Sequence, residues 1–223
     1  MIFQKRIVPD HIKQNDTLKS WLAQGATFIG KYEMPQLSPC RVIPREAVPF
    51  PEARSESDKR QWVHFYIDDE NFECLWNSPK AYLELLRSFD GVISPDFSIY
   101  RELPLAQQIW STYRNRLLAH WLQYHGVNVI PNVRWGDERT YAFCFDGVPK
   151  SAPVAISTNG CIRDKIDRMY FKLGLKKMMD VLNPSVIINY SYTPDDIFKP
   201  YGDMGLKIIH IPNRHDVVRG RVE

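Results

Sequence analysis

The chain has 223 residues, 44% apolar and 25% charged, a composition that supports a sizeable core and excludes a disordered or fibrous chain. A formal charge of +3 and a pI of about 8.6 fall short of the strongly basic footprint of a dedicated nucleic-acid binder, yet leave room for an anionic ligand. The four cysteines, at 40, 74, 144 and 161, have no CxxC spacing, which argues against a zinc knuckle or a thioredoxin-like motif.

Residues 1–60 differ from the rest. Six of the sixteen prolines fall there. Asp16 is placed to cap a short helix, Thr17–Gln24, that stops at Gly25. The stretch Pro35–Arg60 is rich in proline and charge, and it reads as an extended arm suited to docking a protein partner. The N-terminus lacks the apolar core of a leader, and no apolar run approaches the roughly 18 residues of a membrane span. A cytoplasmic protein with reduced cysteines and no membrane contact is expected.

From Trp62 onward, strands and helices alternate over a domain read as 61–213. Val63–Ile67 is a strand that ends at Asp68 and Asp69. Ser78 and Pro79 open a helix with apolar positions at Tyr82, Leu85, Leu86 and Phe89. Gly91–Asp96 is a short buried strand. A long helix from Pro104 to Tyr124 carries an inner stripe of Leu105, Ile109, Tyr113, Leu117 and Trp121, widened by Trp110, Leu118 and Leu122. Val127–Val133 is the third strand, and a short helical segment follows at Thr140–Phe145. Val154–Ser157 is the fourth strand and Lys165–Leu182 the next helix. Ser185–Tyr192 and Leu206–Pro212 are the last two strands, with a short helix, Asp196–Tyr201, between them. The tail 214–223 is polar. This alternation predicts an α/β fold with a mainly parallel sheet of about six strands and right-handed helical crossovers. It is either an open doubly wound sheet or a partial TIM-like barrel, because a closed eightfold barrel takes about 250 residues.

In both architectures ligands bind beyond the carboxyl ends of the strands. Asp96, at the end of a buried strand, and Asp137 are the candidate acid/base pair. An acid/base role for Asp96 predicts that Asp96→Asn abolishes turnover and leaves the thermal midpoint nearly unchanged. Arg134 suits bidentate capture of a phosphate or carboxylate, with Asn132 beside it and Trp135 as a stacking surface. The turn Ser157, Thr158, Asn159 and Gly160 offers hydroxyls and backbone N–H groups to an anion. Tyr190 and Asp68 stand at further strand ends, and Arg114 shares a helix face with Gln107 and Trp110. Each residue also has a plain structural reading as a cap, a local salt bridge or a plug over the sheet. A Mg²⁺ ion is a conceivable cofactor, held by Asp68, Asp69, Asp96 and Asp137. No HExxH or comparable spacing supports a transition-metal site.

The central words FDGVISPDFSIY (Phe89–Tyr100), LPLAQQIWSTYRNR (Leu103–Arg116), VIPNVRWGDERTYAFCFDGVP (Val129–Pro149) and VAISTNGC (Val154–Cys161) resemble a family of uncharacterised proteins. Its members occur in bacterial chromosomes, prophages, phages and other mobile elements. The likeness spans about Trp62 to Pro212. It implies a phage or mobile-element setting and assigns no catalytic residue.

Three readings follow. In the first, the protein binds a small nucleotide- or sugar-like anion and hydrolyses or transfers it. In the second, it is a nucleic-acid-binding accessory protein that tracks phosphates with Arg41, Arg45, Arg54, Lys59 and Arg60, helped by Arg214, Arg219 and Arg221. In the third, it is a non-catalytic partner protein in host–phage conflict that docks through residues 1–60.

Overall fold

The computed structural model describes Gln4, Lys5 and residues 17–213; Asp16 and the tail 214–223 lie outside the described residues. Among the described residues ten strands form three sheets. Strands β1 (Gln4–Lys5), β2 (Thr27–Ile29) and β3 (Met34–Pro35) make a small antiparallel sheet. Strands β4 (Ala47–Pro49), β5 (Trp62–His64), β6 (Gly91–Ile93) and β7 (Val129–Ile130) make a four-stranded parallel sheet. Strands β8 (Val154–Ser157), β9 (Val186–Tyr190) and β10 (Lys207–Ile211) make a three-stranded parallel one.

The two parallel sheets are joined beyond β7. Asn132 pairs with Ala155, Val133 N–H donates to the Ala155 carbonyl at 2.8 Å, and Ala155 N–H donates to the Pro131 carbonyl at 2.9 Å. Seven parallel strands therefore lie side by side in chain order from β4 to β10. The expectation was about six, and the strand it did not include is β4, which lies in the proline-rich stretch.

Strand order also bears on the two expected architectures. A doubly wound sheet reverses direction at a switch point, and this one does not. Right-handed crossovers that always step the same way place every helix on one face. The helices are α1 (Glu73–Asn77), α2 (Pro79–Arg87), α3 (Leu105–Tyr124), α4 (Lys165–Leu182) and α5 (Asp195–Asp203). Val63, Val92 and Val129 pack with Leu86 of α2 and with Leu117, Leu118 and Leu122 of α3. Val154, Ile156 and Ile187 pack with Phe171, Leu175 and Met178 of α4 and Phe198 of α5. The opposite face carries Trp62, Ile93, Ile130, Ala155, Ile188 and Ile211, which pack on one another without any helix residue. Among the described residues no pairing joins β4 to β10, so the strands form no closed barrel. Each fully buried aliphatic side chain in these layers contributes about 1.5–3 kcal/mol.

The region read as an N-terminal arm is part of this body. Leu22, Ala23, Phe28, Leu37, Phe50 and Ala53 are buried in the same cluster as β5 and α3, and β4 is paired along β5. Prolines here terminate short elements and do not hold the chain away from the core: Pro49 ends β4 and Pro51 sits in the 3-10 turn Phe50–Glu52. The predicted helix Thr17–Gln24 is reduced to a 3-10 turn, Ser20–Ala23.

Helix boundaries follow the caps. α2 starts after Ser78 with Pro79 at its first position, as expected, although the Ser78 hydroxyl makes no capping bond. Asp164 caps α4 by accepting from Ile166 and Asp167 N–H at 2.8 Å, and Asn183 ends it with φ 44°. α3 departs from its expected stripe. Its C-terminal half buries Leu117, Trp121 and Leu122, but its middle buries Gln108, Thr112, Asn115 and Arg116, while Trp110 is 39% exposed. The polar face of α3 is turned inward because it lies against the polar ends of β6 and β7.

Candidate functional site

The carboxyl ends of the strands open into a cleft with two adjoining lobes. The larger, about 530 Å³, is lined by Tyr66, Asp68, Asp69, Glu70, Asp96 and Ser98 among others. The smaller, about 250 Å³, has a floor of Ile99, Val133, Trp135, Ile156 and Phe171. Tyr100, Arg134, Ser157, Gly160 and Arg163 border both lobes and form the seam.

At the base of the seam lies a buried ion pair. Arg134 donates from Nε and Nη2 to the two oxygens of Asp96, at 2.7 and 2.5 Å. Asp96 also accepts from Asn132 Nδ2 at 2.7 Å, and Asn132 Oδ1 accepts from the Tyr66 hydroxyl at 3.1 Å. Burial opposes the charge on Arg134, but the Asp96 carboxylate outweighs it and holds the guanidinium firmly protonated. Burial also pushes the Tyr66 phenol up, helped by the Asp96 charge, so this hydroxyl is a fixed donor.

α3 holds this pair from below. Arg116, 1% exposed, donates to the carbonyls of Asn132, Cys144 and Asp146 at 3.1, 2.8 and 3.1 Å. Desolvation lowers its pKa to about 10, still high enough to keep it charged at neutral pH. Asn115 Nδ2 donates to Ser94 Oγ at 3.0 Å, and Ser94 Oγ accepts from Asn132 N–H at 2.8 Å. A chain of polar contacts thus runs from α3 through Ser94 and Asn132 to Asp96.

Several expected site residues are engaged elsewhere. Asp137 caps the 3-10 helix Glu138–Ala142 and pairs with Arg139 at 2.8 Å, and that partner holds its carboxyl below the usual range. It does not line the cleft, so the Asp96–Asp137 acid/base pair is not assembled. Arg114 pairs with Glu73 and lies over the rings of Phe97 and Trp76, at 3.8 and 4.9 Å from their centroids. It does not line the cleft. Trp135 does border the small lobe, but it is 9% exposed and packs against Phe145 and Phe171, so it offers a floor and no free stacking face.

The turn Ser157–Gly160 reaches the cleft, but not as an open cradle. Asn159 N–H donates to Ser157 Oγ at 3.0 Å, Thr158 N–H to the Tyr190 carbonyl at 3.2 Å, and Cys161 N–H to the Thr158 carbonyl at 3.1 Å. Thr158 Oγ1 donates to the Tyr192 carbonyl at 2.5 Å. The helix N-terminus beyond it is filled by Asp164. The backbone N–H groups of Thr158, Asn159 and Cys161 are therefore already engaged.

Tyr190 is buried in a ring stack inside the sheet, 4.8 Å from Tyr66 and 4.5 Å from His64. His64 Nδ1 accepts from Tyr66 N–H at 3.2 Å, and burial lowers its pKa to about 3, so the ring is neutral. Asp68 and Asp69 line the larger lobe, where Asp69 accepts from Ser98 N–H and Oγ at 3.1 and 2.8 Å. Among the described residues no group of three acidic, His or Cys side chains is arranged to hold a metal, and of the four aspartates suggested for Mg²⁺, Asp69, Asp96 and Asp137 are engaged by separate partners. Cys144 is fully buried and its thiol is pushed up to about 12 by desolvation, while Cys161 borders the small lobe, 3.5 Å from Arg134 Nη1.

The sequence reading missed Arg163. It is exposed, borders both lobes, and makes no hydrogen bond or ion pair within the described residues. Gly160 turns the chain just before it with φ 72°, a conformation that favours glycine. The available signal was a basic residue two positions before the Lys165 helix start, directly after the turn.

Of the basic residues proposed to track nucleic acid, Arg54 lies over the Tyr82 ring, Lys59 donates to the Ala53 carbonyl at 2.7 Å, and Arg60 pairs with Asp58. Arg214, Arg219 and Arg221 lie outside the described residues. No helix among the described residues is long and apolar enough to cross a membrane.

Residues 26–211 match the family model described as a domain of unknown function, DUF4417. The match begins inside the stretch read as an arm, in keeping with the packing of that stretch. Two phage proteins are similar over 162 residues, 71% of this chain. The Gene 1 protein of Mycobacterium phage L5 is 35% identical, with 71% of its length covered. The Gene 1 protein of Mycobacterium phage D29 is 33% identical, with 60% of its length covered. No solved structure is a significant match.

Proposed function

The chain belongs to the DUF4417 family, which includes proteins of mycobacteriophages, and from that membership and the cleft geometry we propose that it binds a small anionic ligand at the carboxyl ends of its parallel strands. The observation that carries this reading is Arg163, a cation without a partner among the described residues, set on the seam of a two-lobed cleft. Phosphate and carboxylate match the planar guanidinium fork. The Arg134–Asp96 pair supports the reading by stiffening the wall behind Arg163, as a preformed site requires. Hydrolysis by an Asp96–Asp137 pair loses its support, since Asp137 pairs with Arg139. Phosphate tracking by the proline-rich region stays an alternative reading: Arg54 and Lys59 have local partners, while Arg41 and Arg45 are exposed.

The test is calorimetric titration of the full chain with inorganic phosphate and ribose 5-phosphate. Binding is expected for the wild type, with Arg163→Ala lowering affinity about tenfold, the loss of one charge-assisted contact. Equal affinities in the two proteins would remove Arg163 from the site. No binding of either anion would overturn the reading.

A further inference from the structure

The two lobes differ in chemistry, and the difference points to the class of ligand. The smaller lobe has an apolar floor of Ile99, Val133, Trp135, Ile156 and Phe171. Two tyrosines stand at its edge: Tyr100, 58% exposed, and Tyr170, which lies beneath the Arg101 guanidinium at 5.2 Å. Its mouth carries the Arg101–Asp167 ion pair at 2.5 Å, with Glu102 on Arg101 at 2.9 Å. A slot with an apolar floor, tyrosines at its edge and charged groups around it suits a flat ring with donors and acceptors on its edge. A bare phenyl ring would leave those mouth groups unused.

The larger lobe is lined instead by Asp68, Asp69 and Glu70. Carboxylates there accept from hydroxyls and repel additional negative charge. Arg163 stands between the lobes. One anionic group on the seam is therefore matched, and a second or third phosphate extending into the larger lobe would meet three carboxylates.

We propose that the ligand is a nucleoside monophosphate, with its base over the apolar floor of the smaller lobe and its phosphate on Arg163. The proposal rests on the anion-binding reading above and narrows it. A sugar phosphate would leave the apolar floor of the smaller lobe uncovered, and a nucleoside triphosphate would set its outer phosphates against the acidic wall.

The experiment is titration of the full chain at about 50 mM salt, where phosphate contacts are strong, with adenosine and uridine monophosphates, ribose 5-phosphate, adenosine triphosphate, and free phenylalanine and tyrosine. At least one nucleoside monophosphate is expected to bind about tenfold more tightly than ribose 5-phosphate and than the triphosphate. Tyr100→Ala and Tyr170→Ala should each lower the nucleotide affinity several-fold and leave ribose 5-phosphate binding intact, which also reports that the variants are folded. Arg163→Ala should weaken both. Equal binding of ribose 5-phosphate and the nucleotides would overturn the proposal and leave the anion site standing. Tighter binding of an aromatic amino acid would overturn the nucleotide class. Failure of every phosphate to bind would overturn both readings.

Discussion

Arg134 and Asp96 are joined by two parallel charge-assisted hydrogen bonds, at 2.7 and 2.5 Å, that tie the end of the third predicted strand to the end of the second. The carboxylate is 4% exposed and the guanidinium side chain 23% exposed, so each ion depends on the other for its charge to be tolerated.

Removing one partner should therefore unbalance the fold. Asp96→Asn leaves a largely desolvated arginine without a counter-ion and is expected to cost about 3 kcal/mol, the low end for a broken buried pair. For a domain of this size that is a fall of about 6–12 °C in thermal midpoint. The double variant Asp96→Asn, Arg134→Met should recover part of the loss. A midpoint within about 2 °C of wild type for the single variant, less than the shift for 1 kcal/mol, would contradict the structural role.

His64 sets a pH dependence. Its pKa falls from the ordinary 6.5 to about 3 because burial penalises the imidazolium. The unfolded chain then binds the proton more readily than the folded one between those values. The contribution of neutral His64 is fully present above about pH 6.5 and is lost as pH falls toward 3. The stability difference between wild type and His64→Gln should therefore shrink by up to about 1.4 kcal/mol per pH unit from pH 6 downward. Denaturant melts of both proteins at several pH values check this, and parallel curves would reject it.

Gly174 of α4 packs against the Trp135 indole, and a Cβ there would lie 2.0 Å from Nε1. Alanine normally favours a helix over glycine by about 1 kcal/mol. Here overpacking, about 1–3 kcal/mol, should win. Gly174→Ala is expected to lower stability, to shift tryptophan emission and to weaken any ligand of the small lobe. A stabilised variant would show that the helix and the indole can move apart.

Arg114 lies over Phe97 and Trp76 and pairs with Glu73. Lysine cannot reproduce a planar cation over the Phe97 ring. Arg114→Lys should cost about 1–2 kcal/mol while leaving anion affinity in the cleft unchanged. Loss of affinity without loss of stability would return Arg114 to the site.

Asp137 caps its short helix by accepting from Arg139 N–H at 3.1 Å. Asp137→Ala is expected to cost about 1 kcal/mol, the usual value of an N-cap, and to leave ligand binding as it was. A large drop in affinity at unchanged midpoint would reinstate a direct role.

What the sequence by itself determined was the set of elements with strong local signals. The alternation of Val- and Ile-rich strands with capped helices is a short-range property, and the strands at Val154–Ser157 and the helix Lys165–Leu182 came out at their predicted bounds. The polar strand tips were legible for the same reason, and Asp96, Arg134, Ser157, Asn159 and Asp68 do line one cleft. Partnership was not legible, because it depends on which side chains the fold brings together across distant parts of the chain. Arg134 found Asp96, 38 positions away, in place of its neighbours Asp137 and Glu138, and Asp137 took Arg139. β4 was unreadable because two of its three residues, Ala47 and Pro49, are weak strand formers, and only pairing along β5 makes them a strand. The inward polar face of α3 defied the apolar stripe because Asn115 and Arg116 are buried by hydrogen bonds to Ser94 and Asn132. Only the tertiary structure decided that Arg163, an ordinary surface arginine by its sequence, stands at the seam of the cleft, since that position is set by the turn of Gly160 and the packing of α4 against the sheet.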